Sequence, residues 1–403
     1  MLHSPKLHSS TIAPKVMAPK AIACGGALLA AAALGPLAGC GKKAAVSAPP
    51  KVAAPTKISQ ADLKQNKPNE AGAVMILMYH DFDPKRPNND LNRTPDQFRK
   101  DLEMLYQRGY RPVTVTEFIE NRMDLPPGKT PVVLTFDDSK PTQFNIKTTG
   151  DGQQVIDRNC AVGILQKFHE KNPQWAAKAT FFVLPQVGRN YVPFGQPETA
   201  AEKFEYLLKN GYEIANHTST HTSLRGMTVD RVQWELATAV HEIKKIAPEA
   251  TMQVLALPYG HVPDAKAVRQ ALITGKHAGT TYKNKAVLRA AWRPVLSPLT
   301  RPSKQFAQGG KFCVFDPYNL ERIKTDPRQA KLPGTLEYWI KFFDANPSLK
   351  YVSDGNLEIA AVPESLKTMI DPARAKQQGK RLQFYSLTGG GSSGKGGGGL
   401  NVE

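Results

Sequence analysis

The feature that most restricts the fold is an alternation. Short runs rich in β-branched and aromatic residues are followed repeatedly by segments whose apolar residues recur at the helical period. The runs fall at Val74–Tyr79, Pro112–Val115, Val132–Phe136, Thr180–Leu184, Tyr212–Ala215, Gln253–Leu257, Gly279–Tyr282 and Tyr351–Val352. Between the first two, "TPDQFRKDLEMLYQRGY" offers Thr94 as a cap, Pro95 at the first helical position and Gly109 as the stop. Phe98, Leu102, Leu105 and Tyr106 supply its apolar face. "TVTEFIENRM", "CAVGILQKFHEK", "ETAAEKFEYLLKNGY", "TVDRVQWELATAVHEIKKI" and "PDAKAVRQALITG" read as further crossovers. Strand, helix and strand in repeated succession require a parallel sheet covered by helices. Over roughly 300 residues in one α/β domain, the expected architecture is a closed (β/α) barrel. "TQFNIKTTGDGQQVID" has strand-turn-strand character and reads as a hairpin inserted on one barrel loop. The Pro-rich stretch 290–334 has no periodicity that assigns it.

The ends have a different composition. Lys6, Lys15 and Lys20 precede "AIACGGALLAAAALGPLAGC", and no acidic residue occurs before Cys40. A basic start, a short apolar stretch and small residues at the cut describe a secretory signal over 1–39. The stretch is too short and too rich in Gly and Ala for a spanning helix. Its ending, Leu37-Ala38-Gly39-Cys40, resembles the bacterial lipobox, which implies a lipid on Cys40. The expected location is therefore an exported, membrane-anchored lipoprotein, outside the bacterial inner membrane or in the outer membrane or periplasm. Residues 40–70, rich in Ala, Pro and Lys, read as a tether, 71–387 as the barrel, and the Gly-rich 388–403 as a flexible tail. Cys160 and Cys313 also belong to the exported part; a disulfide between them is permitted there, and two buried thiols fit equally well.

The formal charge is +18, and removing the three signal lysines leaves 18 − 3 = +15. Much of it is local: 264–331 holds fourteen Lys or Arg against four Asp or Glu, 14 − 4 = +10. Such a surface favours anionic neighbours, wall polymers or lipid headgroups among them. No zinc-finger spacing, RNA-binding aromatic motif or basic heptad helix is present, so nucleic acid is not an expected partner.

In parallel barrels the working residues project from the C-terminal ends of strands. Here "VVLTF" ends in Asp137-Asp138, "YEIAN" in His217-Thr-Ser-Thr-His221, "QVLAL" in Pro258-Tyr259-Gly260 and "VMILMY" in His80-Asp81. A sheet built only for stability would carry turn residues there. If 217–221 starts a helix, its two imidazoles lie one turn apart and can face one cation. One carboxylate with two imidazoles is a three-ligand set that leaves positions open for water and substrate. The adjacent carboxylate, barred by geometry from the same ion, is free to act as a base.

Together "VVLTFDDS", "KATFFVL", "GYEIANHTSTH" and "LALPYG" resemble the polysaccharide deacetylase family, the NodB-homology domain of carbohydrate esterase family four. The resemblance is firm over about residues 73–284 and looser to about 354, where "KYVSDGN" closes the domain. It implies a distorted (β/α) barrel and metal-dependent removal of N-acetyl groups from a cell-envelope or extracellular polysaccharide of the N-acetylglucosamine type. Carried over by position, Asp138, His217 and His221 would bind one divalent metal, Zn²⁺ first, with Co²⁺, Ni²⁺ or Mn²⁺ as alternatives. Asp137 would take a proton from the attacking water, and the Tyr259 N–H would face the oxyanion. The family's acid histidine usually lies near the C-terminus, but this chain has none after His277. "ILMYHD" has the shape of that motif, as in the permuted arrangement of some exopolysaccharide deacetylases, which makes His80 the acid. Alternation points Asp81 away from His80, so its orienting carboxylate is expected from another loop.

Two departures stand out. The base-orienting arginine of the family falls on Ala256, and the glycine after Asp-Asp on Ser139. Trp292 is the candidate wall of the acetyl pocket, with Arg293 or Arg301 replacing the lost arginine. His169, His241, His261 and His277 are expected to be structural or on the surface. The missing arginine leaves open a second class, a carbohydrate-binding barrel that has lost turnover, and the ligand set alone a third, a metallohydrolase of other amides. Oligomeric state is left open.

Overall fold

The computed structural model describes residues 57–185, 187, 192–303, 309–326, 328 and 333–387. The expected signal over 1–39, Cys40, most of the tether and the tail 388–403 lie outside the described residues.

Seven parallel strands close a barrel in chain order: Ala73–Tyr79, Thr130–Asp137, Thr180–Val183, Glu213–Asn216, Val254–Ala256, Ala286–Ala290 and Leu320–Lys324. The first pairs with the second from Met75↔Val132 to Tyr79↔Phe136, and with the seventh at Leu77↔Ile323. Tyr110–Val113 pairs with the start of the second strand, and the third strand takes the same edge further along, so the barrel is splayed. An antiparallel bridge at Val74↔Val295 borders the first strand.

Period-two alternation sorts the strand residues. Val74, Ile76, Val133, Phe182, Ala215, Val254, Ala256, Leu288 and Leu320 form the inner core. Met75, Leu77, Tyr79, Leu134, Phe136, Phe181, Ile214, Leu255 and Ile323 form the outer layer under the helices. Those helices include Pro95–Gln107, capped by Thr94 as its sequence indicates, Ala161–Lys171, Ala200–Lys209, Val229–Ile246 and Lys266–Ile273. Ile146–Thr148 and Gln154–Ile156 form the inserted antiparallel hairpin. No helix among the described residues is long and apolar enough to cross a membrane.

Three expectations change. Thr280–Lys283 is not a barrel strand; it pairs antiparallel with Thr274–His277 about a tight turn in which Ala278 and Gly279 both have positive φ. The barrel position passes to Ala286–Ala290. Tyr351 and Val352 lie outside any strand; Val352 makes only an isolated bridge, to Asn69. The tether gives way to folded chain before residue 70. Gln60–Asn66 is a helix capped by Ser59, its one buried residue, Leu63, packed against Ala361 and Tyr385. The Ile58 N–H donates to Gln383 Oε1 at 2.8 Å, and the Tyr385 hydroxyl to the Pro68 carbonyl at 2.7 Å. A partner from the strand Arg381–Tyr385 thus orders a segment with no periodicity of its own. Cys160 and Cys313 are buried free thiols.

Candidate active site

The site follows from the alternation. Continuing the inward series gives His80 after Val74 and Ile76, Asp137 after Val133, His217 after Ala215, and Arg322 after Leu320. Register brings them level: Tyr79 lies opposite Phe136, Asp137 opposite Phe182, and Val183 opposite Asn216. Asp138 should by this count point outward. Its φ of 75°, followed by 45° at Ser139, turns the chain so that both aspartates face the barrel mouth.

Thr218, His221 and Tyr259 also have positive φ, so five of the ten described non-glycine residues in that region lie at this one site. Such conformations persist only where surrounding contacts impose them. Ser139 Oγ accepts from the Leu184 N–H at 2.9 Å. The Gln143 amide donates to the carbonyls of His80 and Asp137, joining two strand ends. The segment 217–221 is a loop and not a helix start, because buried Glu235 accepts from the N–H groups of Ser219 at 3.1 Å and Thr220 at 3.0 Å. These bonds hold the loop away from helical hydrogen bonding. The imidazoles still meet, with ring centroids 4.9 Å apart.

Donor atoms of Asp138, His217 and His221 all lie within 4.8 Å of one another. His217 Nε2 and His221 Nε2 are 3.3 and 3.1 Å from Asp138 Oδ1. Yet Asp138 Oδ1 and His217 Nε2 are buried without an aligned hydrogen bond. The other His217 nitrogen, Nδ1, is 3.0 Å from the Ala256 carbonyl, which can only accept. An Nδ1 proton therefore meets that acceptor, and in the neutral tautomer this leaves the Nε2 lone pair turned into the cluster. Unpartnered buried donors of this kind fit a divalent cation.

Asp137 is held differently. Arg322 Nη1 and Nη2 fork onto Asp137 Oδ1 and Oδ2 at 2.5 and 2.8 Å, both side chains being buried. Asp137 Oδ2 faces His80 Nε2 at 3.8 Å and His217 Nε2 at 3.9 Å.

Residues 124–274 match the family model described as polysaccharide deacetylase. Over that stretch the chain is similar to polysaccharide deacetylases. No curated protein matches it. Among solved structures, the deacetylase PplD of Streptococcus pyogenes, in complex with acetate, is 21% identical, covering 64% of this chain and 94% of that one, with a TM-score of 0.44. IcaB from Ammonifex degensii is 18% identical over 67% and 97%, TM-score 0.44. A de-N-acetylase from Aggregatibacter actinomycetemcomitans is 14% identical over 63% and 95%, TM-score 0.40.

Electrostatics at the site separate the two aspartates. Burial alone would raise the Asp137 carboxyl, but Arg322, His217 and His80 together hold it below its ordinary value. Asp138 is likewise buried, and the imidazoles of His217 and His221 hold it well below the carboxylate range. Burial lowers His80 from its ordinary 6.5, against the pull of Asp137 and Asp138. His217 is raised, because the two aspartates outweigh its burial.

The Tyr259 turn closes the mouth. A Cβ on Gly260 would meet the Ala290 backbone nitrogen at 2.8 Å, so glycine lets the turn rest on the sixth strand. The Tyr259 side chain is 63% exposed, its ring 5.0 Å from that of His221. Trp292 follows the sixth strand and is also exposed. Arg293 does not replace the missing arginine: it forks onto Glu321, Nε–Oε2 2.9 Å and Nη2–Oε1 2.5 Å. Arg301 donates to the Ile370 carbonyl at 2.7 Å. Neither makes a bond to Asp137; Arg322 does. Nor, among the described residues, does another loop supply an orienting carboxylate for His80: Nδ1 is buried without a partner, and Asp81 binds Arg86 and Thr142 instead. Sequence reasoning missed Arg322, Glu235 and Gln143. Glu235 had a signal, an acidic residue on the apolar face marked by Val232, Leu236 and Ala239.

Proposed function

We propose that this deacetylase removes N-acetyl groups from an exported or cell-envelope polysaccharide of the N-acetylglucosamine type, and that it needs one divalent ion, Zn²⁺ in the first instance. Asp138, His217 and His221 would hold the ion. When bound, it supplies Lewis acidity that acidifies water and polarises the acetyl carbonyl. The remaining steps fall to side chains and one amide. Asp137, kept ionised and aimed by Arg322, accepts the proton of the attacking water. The Tyr259 N–H stabilises the developing oxyanion. His80 hands a proton to the departing amine nitrogen, which leaves poorly as an anion. Burial favours a neutral resting His80, so it must first gain that proton. Asp137, once it carries the proton taken from water, is the acid within 3.8 Å.

The observation that carries this reading is a division of labour between neighbours: Asp138 sits in the donor cluster while Asp137 is gripped by a guanidinium outside it. A module that only binds sugar has no need for an oriented, ionised carboxylate beside a cation site. The argument for lost turnover was the missing arginine, and Arg322 supplies that contact from the seventh strand. The test is acetate release from N-acetylglucosamine oligomers by purified protein, before and after chelation and after return of Zn²⁺. Release that chelation abolishes and the ion restores supports the reading; binding of the oligomer with no release under any ion overturns it. His80→Ala should keep fold and metal and lose roughly 10²–10⁴-fold in rate. We further propose that Cys40 is acylated, so Cys40→Ser should leave the membrane fraction; unchanged partitioning would contradict this.

A further inference from the structure

A polar concavity lies at the end of the barrel away from the mouth. It lies between the helix Val229–Ile246 and the hairpin Thr274–Lys283, and its volume is about 640 Å³. Gln253, in its wall, immediately precedes the fifth barrel strand, whereas the Tyr259 turn follows that strand's other end. The catalytic residues proposed above take no part in it.

Lys244 from the helix and Lys276 and Lys283 from the hairpin line this groove, and all three are exposed. Their neighbours are paired: Lys245 with Glu242 at 2.7 Å and Lys285 with Glu120 at 2.6 Å. Among the described residues, no carboxylate pairs with Lys244, Lys276 or Lys283, and none lines the groove. Gln233, Gln253 and Thr281 contribute amide and hydroxyl groups between the lysines.

The walls are fixed. The Tyr282 hydroxyl donates to the Ala271 carbonyl, and Thr274 Oγ1 to the Tyr282 carbonyl at 3.2 Å. A Cβ on Gly275 would meet the Tyr282 hydroxyl at 2.5 Å and Gln233 Cγ at 2.9 Å, so only glycine lets the hairpin lie this close to the helix. A rigid trough with three uncompensated ammonium groups and neutral hydrogen-bonding groups between them is complementary to a chain that carries both negative charges and hydroxyls. Two of its lysines, Lys276 and Lys283, belong to the basic excess over 264–331 and take no part in the chemistry at the mouth.

We propose that this groove binds an anionic, polyhydroxylated polymer, such as an acidic polysaccharide, as a holding site separate from the reaction centre. A concave trough with amide and hydroxyl lining favours a single polymer strand over the flat headgroup plane of a bilayer. Holding one stretch of a polymer here raises the local concentration of its other stretches at the mouth.

The experiment measures binding of the full chain to polygalacturonate, which has no acetamide to hydrolyse, with neutral dextran and anionic phosphatidylglycerol vesicles as the other arms. The triple variant Lys244→Gln, Lys276→Gln, Lys283→Gln is compared with Lys64→Gln, Lys167→Gln, Lys341→Gln, an equal charge loss at other exposed lysines. Melting temperature is recorded for both. The groove variant should bind polygalacturonate about tenfold or more weakly, since exposed charge pairs contribute little singly but three act on one strand. The comparison variant should bind within about twofold of the wild type, and dextran should not bind, as charge complementarity requires. Release of acetate from short neutral oligomers should be the same in all three proteins, which separates failure here from failure of the proposed activity. Equal loss in both variants, equal binding of dextran, or binding to vesicles without binding to polygalacturonate would each overturn the proposal.

Discussion

Asp137 and Glu70 are buried to the same degree, each about 1% exposed, and their carboxyls are driven in opposite directions. Both lose the solvation that favours charge. At Asp137 a planar guanidinium returns two hydrogen bonds, at 2.5 and 2.8 Å, and two imidazoles add attraction. At Glu70 the nearest cation, Lys380 Nζ, stops at 4.0 Å, Oε2 has no hydrogen-bond partner, and the Asp354 N–H reaches Oε1 only at 3.4 Å. The Asp354 carboxylate is taken up by the N–H groups of Asn356 and Ala361 and repels Glu70. Burial, with that repulsion, pushes Glu70 up to about 8. Burial is common to both, so the geometry of the partner decides the charge. One site keeps an ionised carboxylate at the barrel mouth; the other, where residues 69–70 meet the C-terminal strands, prefers a proton.

The strongest way to break the contrast is Arg322→Ala. Removing one partner of a buried pair costs about 3–5 kcal/mol because the other charge is left uncompensated. Denaturant unfolding should show that loss, and acetate release should collapse with it, since Asp137 would rise toward neutrality. Arg322→Lys should recover part of the stability and little of the rate, because an ammonium cannot fork onto two oxygens. An Arg322→Ala protein with wild-type stability and turnover would end the argument.

Glu70→Gln sharpens the contrast from the other side. The Glu70 carboxyl titrates at about 8 when folded and near 4.5 when unfolded, so the folded state holds the extra proton between those values. Stability should therefore fall as pH rises from about 4.5 to 8 and level off above, by on the order of a few kcal/mol. Melting curves across that range should show the decline in the wild type and a flatter profile in Glu70→Gln, which should be the more stable protein above pH 8. A parallel decline in both proteins would place the titrating group elsewhere. The smallest effect is expected at Arg293→Ala. Glu321 keeps its 2.6 Å pair with Arg289, so stability should drop by about 1.5 kcal/mol or less and turnover should not change. Lost turnover would return Arg293 to the site.

The same partner geometry explains what the sequence could reveal. His80, Asp137, Asp138, His217 and His221 were legible because each follows an apolar run, where alternation and the barrel rule say which end and which face matter. Arg322 was not. "LERIK" lies in the Pro-rich stretch that no periodicity assigns, although Glu321 and Arg322 are each about 1% exposed. Their burial depends on partners 28 and 185 residues away, Arg293 and Asp137, and no local pattern records that. Whether 217–221 starts a helix was left open for a related reason: spacing shows that two histidines can meet, but Glu235 decides how. The hairpin Thr274–Lys283 had strand-forming residues and a turn, and only the register shows that it lies outside the barrel.

The central claim is that two adjacent aspartates have different tasks, and metal content measured beside acetate release on the same preparations tests it most directly. Asp137→Asn should retain about one divalent ion per chain, as a mononuclear three-ligand site implies, and lose turnover. Asp138→Asn should lose both. If Asp137→Asn sheds its metal while Asp138→Asn keeps it, the roles are exchanged and the account is wrong.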